Sequence, residues 1–364
     1  MNEFVSSSDF YELIREKYNL IDVRSEGEFE QGHVPGSINI PILNNEERAQ
    51  VGATYKKQGQ DAAVQLGKKL VSGNVKDQRV AAWIEASAKN KKTVLTCFRG
   101  GLRSRFAQEW CREAGLAMPR VEGGTKKFRQ FLSDELDRRS ENCEMVLITG
   151  PTGSGKSILI KEIITHRACM DLEKMAHHRG SAFGSYPQKQ PSQVVFENLM
   201  SCEMIKLETA LAKAGNLVIE DESRLIGTCA LPWSFFERMR ISPGVFVDES
   251  LESRTQTTFN EYILETDLIG EAPAKAIAVF EHYQRCLQRI SKKLGGVNSS
   301  EILKDLAESR EAYFKNRDLE INKGWIRKLL ALYYDPLYLG SLEKRNLKYL
   351  FRGSRKEVTE FLKS

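Results

Sequence analysis

Nowhere in the 364-residue chain is there an unbroken apolar run of the 18 or so residues that a membrane-spanning helix requires. The N-terminal stretch MNEFVSSSDFYELIREKYNL sets acids among its apolar residues and lacks the basic start and apolar centre of a signal peptide. Both absences lead to the expectation of a cytoplasmic protein. The 7 cysteines stand at 97, 111, 143, 169, 202, 229 and 286, with no pair in Cys-x-x-Cys spacing. A zinc ribbon is therefore unsupported, and the odd count argues against a disulfide framework. No internal repeat or low-complexity segment occurs. Excess charge is also lacking, with 54 Lys and Arg against 49 Asp and Glu. The net charge of +5 and pI near 8.7 do not by themselves imply a nucleic-acid partner.

What is present describes an ordinary globular chain, with 41% hydrophobic and 9% aromatic residues and a mean hydropathy of −0.41. Its length suffices for two domains with separate cores. The basic residues are bunched: Arg99, Arg103 and Arg105; Lys126, Lys127 and Arg129; and Lys344, Arg345 and Lys348 within EKRNLKYLFRGSRK. One such cluster is ordinarily a solvated helix face, but several beside candidate sites point to a polyanionic partner.

The first half reads as α/β. SDFYELIREK is helical, NLIDVRS and INI are strands, residues 44–92 are mostly helical, and KTVLTC is a buried strand. SRFAQEWCREAG then forms a helix with Gly115 at its C-terminal end. Cys97 thus follows a strand and precedes a helix, where open α/β sheets place their ligands. Backbone amides, the helix N-terminus and the guanidinium groups of Arg99 and Arg103 favour a thiolate or a bound oxyanion there. Gly100 and Gly101 let the loop curl, and Ser104 completes Cys-x5-Arg-Ser.

The second half opens with the strand 145–149, and residues 150–157 satisfy G-x-x-x-x-G-K-[ST] before a helix. This strand, loop and helix order supports a P-loop. Gly150, Gly153, Ser154 and Gly155 shape a diphosphate cradle at the helix N-terminus, Lys156 neutralises the ligand and Ser157 can hold magnesium. NLVIEDES reads as a strand ending in acids, of which Asp221 or Glu222 could orient the metal. Residues 171–198 are irregular and include His177, His178 and Arg179, a pattern expected of phosphate or nucleic-acid contact. Beyond residue 250 the pattern is helical, and Tyr333, Tyr334 and Tyr338 are read as helix-packing residues before bases to stack on. Two domains are expected, at 1–137 with a helical insertion near 44–92 and at 144–364, joined by a linker near 136–144.

IDVRS, EFEQGHVPGSINIP, the Cys97 loop and VEGG resemble the signature blocks of rhodanese domains. That resemblance makes Asp22 and Arg24 structural residues beside the site. The loop departs from the common sulfurtransferase form because Arg103 lies six residues after Cys97 rather than five, which widens it toward a phosphate-sized ligand. Cysteine-dependent phosphatases share this spacing, but Thr96 stands where many of them have His, and no general-acid Asp can be identified. With NNEERAQVG, HHRGSAFG, EDESRLIG, YYDPLY and FRG, the whole chain resembles the bacterial tRNA 2-selenouridine synthase family. The resemblance implies an N-terminal rhodanese-like domain, a P-loop NTPase-like α/β domain with a helical C-terminal part, and exchange of sulfur for selenium in wobble 2-thiouridine. It implies selenophosphate and geranyl diphosphate as substrates, a geranylated intermediate, no tightly bound cofactor and tRNA as partner. His178, Arg179, Lys344, Arg345 and Lys348 are expected tRNA contacts, and a monomer is expected. The competing readings are a P-loop kinase or NTPase carrying a sulfurtransferase or Cys-x5-Arg phosphatase module, and a tRNA-binding carrier that relays sulfur.

Overall fold

The computed structural model describes residues 3–16, 18–90, 92–186, 188–266, 273–345 and 347–364. The chain forms two compact units, Met1–Asn142 with Pro191–Glu208, and Cys143–Gln190 with Thr209–Ser364. No helix among the described residues is long and apolar enough to cross a membrane.

In the first unit the strands are β1 (Phe4–Val5), β2 (Asn19–Asp22), β3 (Ile38–Asn39), β4 (Thr93–Thr96) and β5 (Arg120–Val121). They form a parallel sheet in the order β1-β5-β4-β2-β3. Strands β2 and β4 are buried at every position, as befits a parallel sheet covered on both faces. The expected helical insertion is three helices, Asn45–Gln58, Gln60–Leu70 and Asn74–Ala88. Leu102–Glu113 is the helix after the cysteine loop, and Gly115 has the left-handed φ of 89° that suits a helix terminator.

The linker expected near 136–144 is helical through most of its length, because Gly124–Asn142 is one helix that buries Phe128, Leu132 and Leu136, and the units divide at 142/143. One placement differs from expectation. The helix Gln193–Lys206, placed by its sequence position in the second domain, belongs to the first unit. Its Cys202 and Ile205 share a core with Phe10, Phe128 and Leu132. An apolar helix face carries no mark of which core it will join, so sequence order misplaced it.

The second unit contains β6 (Met145–Thr149), β7 (Cys169–Met170), β8 (Leu217–Glu220), the hairpin β9 (Leu225–Ile226) and β10 (Cys229–Ala230), then β11 (Gly244–Val247) and β12 (Tyr349–Gly353). Its parallel sheet runs β12-β11-β6-β8-β7. The helical reading beyond residue 250 missed β12, an edge strand whose Tyr349 and Leu350 are exposed and whose pattern does not alternate cleanly. Pro273–Leu294, Gly296–Asn316 and Asn322–Leu329 build a helical layer around Phe280, Tyr283, Tyr313 and Trp325. Arg355–Lys363 packs on the sheet and on the helix that follows the P-loop.

Candidate functional site

Each parallel sheet carries a glycine-containing loop at the carboxyl end of an inner strand, the position where such sheets bind ligands. In the first unit that strand is β4, between β2 and β5. Cys97 is 3% exposed, and its thiol donates to Ser104 Oγ at 3.2 Å. The loop is held through its carbonyls. Thr125 and Lys126 amides donate to the Cys97 and Phe98 carbonyls, each at 2.9 Å, and the Arg120 guanidinium donates to the Gly100 carbonyl at 2.6 Å. Among the described residues, the amides of residues 98–104 have no hydrogen-bond partner. A ring of open N–H groups at a helix N-terminus is an anion cradle. The close approach requires glycine: a Cβ on Gly124, whose φ is 63°, would lie 2.1 Å from the Cys97 carbonyl oxygen.

The arginines of this loop behave differently from one another. Arg103 binds the Glu28 carboxylate at 2.5 and 3.2 Å, and Arg48 approaches the same carboxylate at 3.5 Å. Burial works to raise the Glu28 carboxyl, but the hydrogen bond and charge of Arg103, with Arg48, hold it below the ordinary glutamate value. Arg99 is exposed, its guanidinium 5.7 Å from the Phe98 ring centroid. A cleft of about 590 Å³ is lined by Arg24, Glu28, Arg48, Arg103, Lys126 and Arg129, among others. Beside it the buried Arg24 guanidinium clasps Asp22 at 2.6 to 3.0 Å and donates to the Gly32 carbonyl at 2.7 Å. Glu28 and Arg48 were not singled out from the sequence. Glu28 looks there like the third residue of the helix Glu26–Gln31, where it does cap Ser25, and Arg48 sits in an insertion with no motif.

In the second unit β6 runs into the P-loop and the helix Lys156–Ile163. Gly153 and Gly155 have φ of 81° and 80°, conformations that disfavour side chains. Lys156 Nζ donates to the Gly150 carbonyl at 2.9 Å. Ser157 Oγ donates to Glu173 Oε2 at 2.8 Å. Ser154 Oγ and Thr258 Oγ1 are buried without a partner among the described residues. Arg254 braces the loop by donating to the Thr152 carbonyl at 3.3 Å and pairing with Asp335 at 2.7 Å.

Carboxylates gather around Lys156 and Ser157. Burial pushes Glu173 up to about 7 against the pull of Ser157 and Lys156. Burial, then the charge of Glu173, pushes Glu222 up to about 8. Glu220 is wholly buried with both oxygens unpartnered, and burial followed by the charges of Glu173 and Asp171 raises it well above the ordinary value. The two acids expected to orient a metal therefore divide. Glu222 lines the P-loop cavity, whereas Asp221 is bound by Arg345 at 2.8 and 2.9 Å. Glu220, the last residue of β8, is one of the acids that end NLVIEDES but not one of the two expected to orient a metal, and no motif marks Glu173.

The cavity measures about 620 Å³ and includes Lys156, Arg179, Lys293, Glu261, Tyr262 and Tyr334 in its walls. Arg179 lies over the Tyr186 ring at 4.4 Å and the Tyr262 ring at 5.6 Å. His178 is partly buried, and burial followed by the charge of Arg179 lowers its proton affinity. Of the remaining expected tRNA contacts, Lys344 and Lys348 are exposed. Arg345 is not free, being the partner of Asp221. Tyr333 belongs to the helical core, Tyr334 packs against it, and both line the cavity, as does Tyr338.

No three His, Cys, Asp or Glu side chains converge as a metal site among the described residues. Magnesium at a phosphate site is commonly held by one or two carboxylates and the ligand's own oxygens. Ser157, Glu173 and the unpartnered Glu220 fit that donor set.

Residues 6–131 match the model of the rhodanese-like domain, and residues 143–364 match that of the tRNA 2-selenouridine synthase AAA domain. Among curated relatives, the tRNA 2-selenouridine synthase of Nitrosomonas eutropha is 43% identical, covering 100% of this chain and 98% of its own. That of Bdellovibrio bacteriovorus is 43% identical over 97% of this chain and 96% of its own, and that of Shewanella pealeana 37% identical over 98% of each. With its P-loop unit matched from end to end and relatives matched over nearly their full length, the chain belongs to the tRNA 2-selenouridine synthase family.

Proposed function

We propose that the chain replaces sulfur by selenium in the 2-thiouridine of tRNA through two reactions, one at each loop. The observation that carries this reading is the pairing of two anion cradles in one chain, one holding a thiol and the other a lysine among carboxylates. The sulfur on C2 of a thiolated uracil is a poor leaving group, and alkylation turns it into a good one.

At the P-loop, the amides of 153 and 155–157 and the Lys156 ammonium hold the diphosphate of geranyl diphosphate, the Ser154 amide being engaged by the Pro151 carbonyl. The thiocarbonyl sulfur attacks the geranyl carbon, the C–O bond breaks and diphosphate leaves with the electron pair. Lys156 stabilises that departing charge. The N3 proton passes to a carboxylate, a role that we assign to Glu222 because it lines the cavity. Ser157, Glu173 and Glu220 are the groups that would hold magnesium, which supplies further positive charge to the diphosphate.

At the Cys97 loop, the open amides with Arg99, Arg103 and Ser104 orient selenophosphate. Selenium in selenophosphate is already at the selenide level, so its transfer to C2 needs no redox change. A Cys97 S–Se bond made from that donor would require a two-electron oxidant. The balanced course is attack of the Cys97 thiolate on phosphorus: the P–Se bond breaks, selenium keeps the electron pair and adds to C2, and the C2–S bond breaks with loss of geranyl thiol. Water then hydrolyses the cysteine-bound phosphate. The exposed Lys344 and Lys348, with Lys126 and Arg129 of the cleft, are the cations offered to tRNA phosphates.

Mass analysis of tRNA nucleosides tests the reading. Purified protein with thiolated tRNA and geranyl diphosphate should yield the S-geranyl nucleoside, and addition of selenophosphate should convert it to 2-selenouridine. An unchanged base, together with ATP turnover that Cys97→Ala leaves intact, would support the kinase or NTPase reading instead.

A further inference from the structure

One cavity of the first unit opens away from Cys97 itself and takes in only Leu102 and Arg103 of its loop. It measures about 730 Å³ and opens between the helices Asn45–Gln58, Gln60–Leu70 and Leu102–Glu113. Its floor is apolar, with Ile42, Leu43, Ala63 and Val71 buried, and Val51, Val64, Phe106 and Trp110 extend the surface. Small residues on the facing helices, Ala49, Gly52 and Ala53 against Ala63 and Gly67, leave the space unfilled. Asn45–Gln58 buries none of its 14 residues. Polar contacts fix its first turn, a capping box between Asn44 and Glu47 and a bidentate bond from Arg79 to the Glu47 carboxylate at 2.7 and 2.9 Å, and Val51 packs against the core of the unit. Ala49, Val51, Ala53 and Tyr55 of this helix line the open groove, and exposed apolar surface of that kind is ordinarily matched to something that enters it.

The groove adjoins the Cys97 cleft, with Arg48 and Arg103 lining both. Lys56 and Lys68 stand at its rim, the Lys68 ammonium 5.3 Å from the Phe106 ring centroid. An apolar trough with a cationic edge suits a hydrocarbon chain borne by a polyanion.

We propose that this groove receives the hydrocarbon chain of the S-alkylated nucleotide while its C2 stands at the Cys97 loop. The proposal rests on the two-reaction reading, and it assigns the chain a binding site in the unit where it is lost rather than in the unit where it is attached. Burial of the chain draws the alkylated base, in preference to the unmodified one, toward selenium, and it shelters the apolar thiol as it leaves.

The test uses the full-length protein and tRNA anticodon stem-loops carrying either S-methyl- or S-geranyl-2-thiouridine, with selenophosphate. The wild-type protein should prefer the geranyl substrate in kcat/KM by on the order of 100-fold, given the apolar area buried. Ala53→Trp places a large side chain at an exposed position of the groove wall. It should lower the geranyl rate until the preference falls to a few-fold, with the methyl rate and the thermal midpoint unchanged. Val51→Ser, which makes the groove polar without filling it, should reduce the preference in the same direction. A wild-type protein that converts both substrates equally, or an Ala53→Trp protein with undiminished preference, overturns the groove assignment and leaves the two-reaction reading intact. A wild-type protein that converts thiolated RNA but never the S-geranyl form overturns that reading itself. If Ala53→Trp alters only self-association, the occupant is a second copy of the chain, and the proposal fails.

Discussion

The two loops are alike in architecture and opposite in charge. Each follows an inner strand of a parallel sheet, uses glycines with left-handed φ and leads into a helix. Around Cys97, cations predominate, and the carboxylate Glu28 is held ionised by Arg103 and Arg48. Around Lys156, carboxylates crowd together and are pushed toward their protonated forms by burial and by one another. The same backbone device is therefore set in two electrostatic surroundings. One is dominated by fixed positive charge, and the other by carboxylates whose crowding an added cation would relieve.

The sharpest way to break this contrast is Lys156→Ala. Transfer of the geranyl group should fall by roughly 100- to 1,000-fold, the scale of losing a principal stabiliser of a leaving anion. Selenation of tRNA supplied already geranylated should survive. A single-turnover assay of each half-reaction checks both.

A smaller effect is expected at Arg345, which the sequence grouped with surface cations and the fold pairs with Asp221, whose side chain is 4% exposed. Arg345→Ala should cost about 3 kcal/mol of stability in denaturant unfolding, because it leaves a buried carboxylate without its partner. A loss confined to tRNA affinity would restore the surface reading.

The acid cluster should also make stability depend on pH. Glu173 and Glu222 have values of about 7 and about 8 in the folded chain, against 4.5 as the reference. The folded state therefore holds more protons than the unfolded state between these limits. Metal-free protein should lose stability as pH rises from about 4.5 to about 8. Magnesium with diphosphate should flatten that decline, and Glu173→Gln should reduce it without metal. Thermal midpoints across this range would show it, and a midpoint that rises with pH would contradict the assignment.

The least effect belongs to Lys344 and Lys348. If each meets a tRNA phosphate, its removal should flatten the slope of log affinity against log salt by roughly 0.7 to 0.9. An unchanged slope would direct the tRNA path to Lys126 and Arg129.

How much of this was legible depended on whether a signal was local. The P-loop and the Cys97 loop each lie in one short stretch, so the strand before and the helix after each can be read directly. Glu173, Glu28 and Arg48 reach their sites only through tertiary packing, and none has a spacing that links it to its loop. The groove between the insertion helices is likewise a product of packing, since small residues at helical spacing usually mean close contact, not an opening. Strand β12 was hidden because an exposed edge strand lacks the alternating burial that betrays an inner one.

The division of labour between the loops is tested most directly by identifying the nucleoside at which each of two variants stalls. Thiolated tRNA would be incubated with geranyl diphosphate and selenophosphate, and its nucleosides resolved by mass. Cys97→Ser should accumulate the S-geranyl nucleoside without 2-selenouridine, whereas Lys156→Ala should retain 2-thiouridine. If both variants stall at the same nucleoside, the loops do not serve successive reactions.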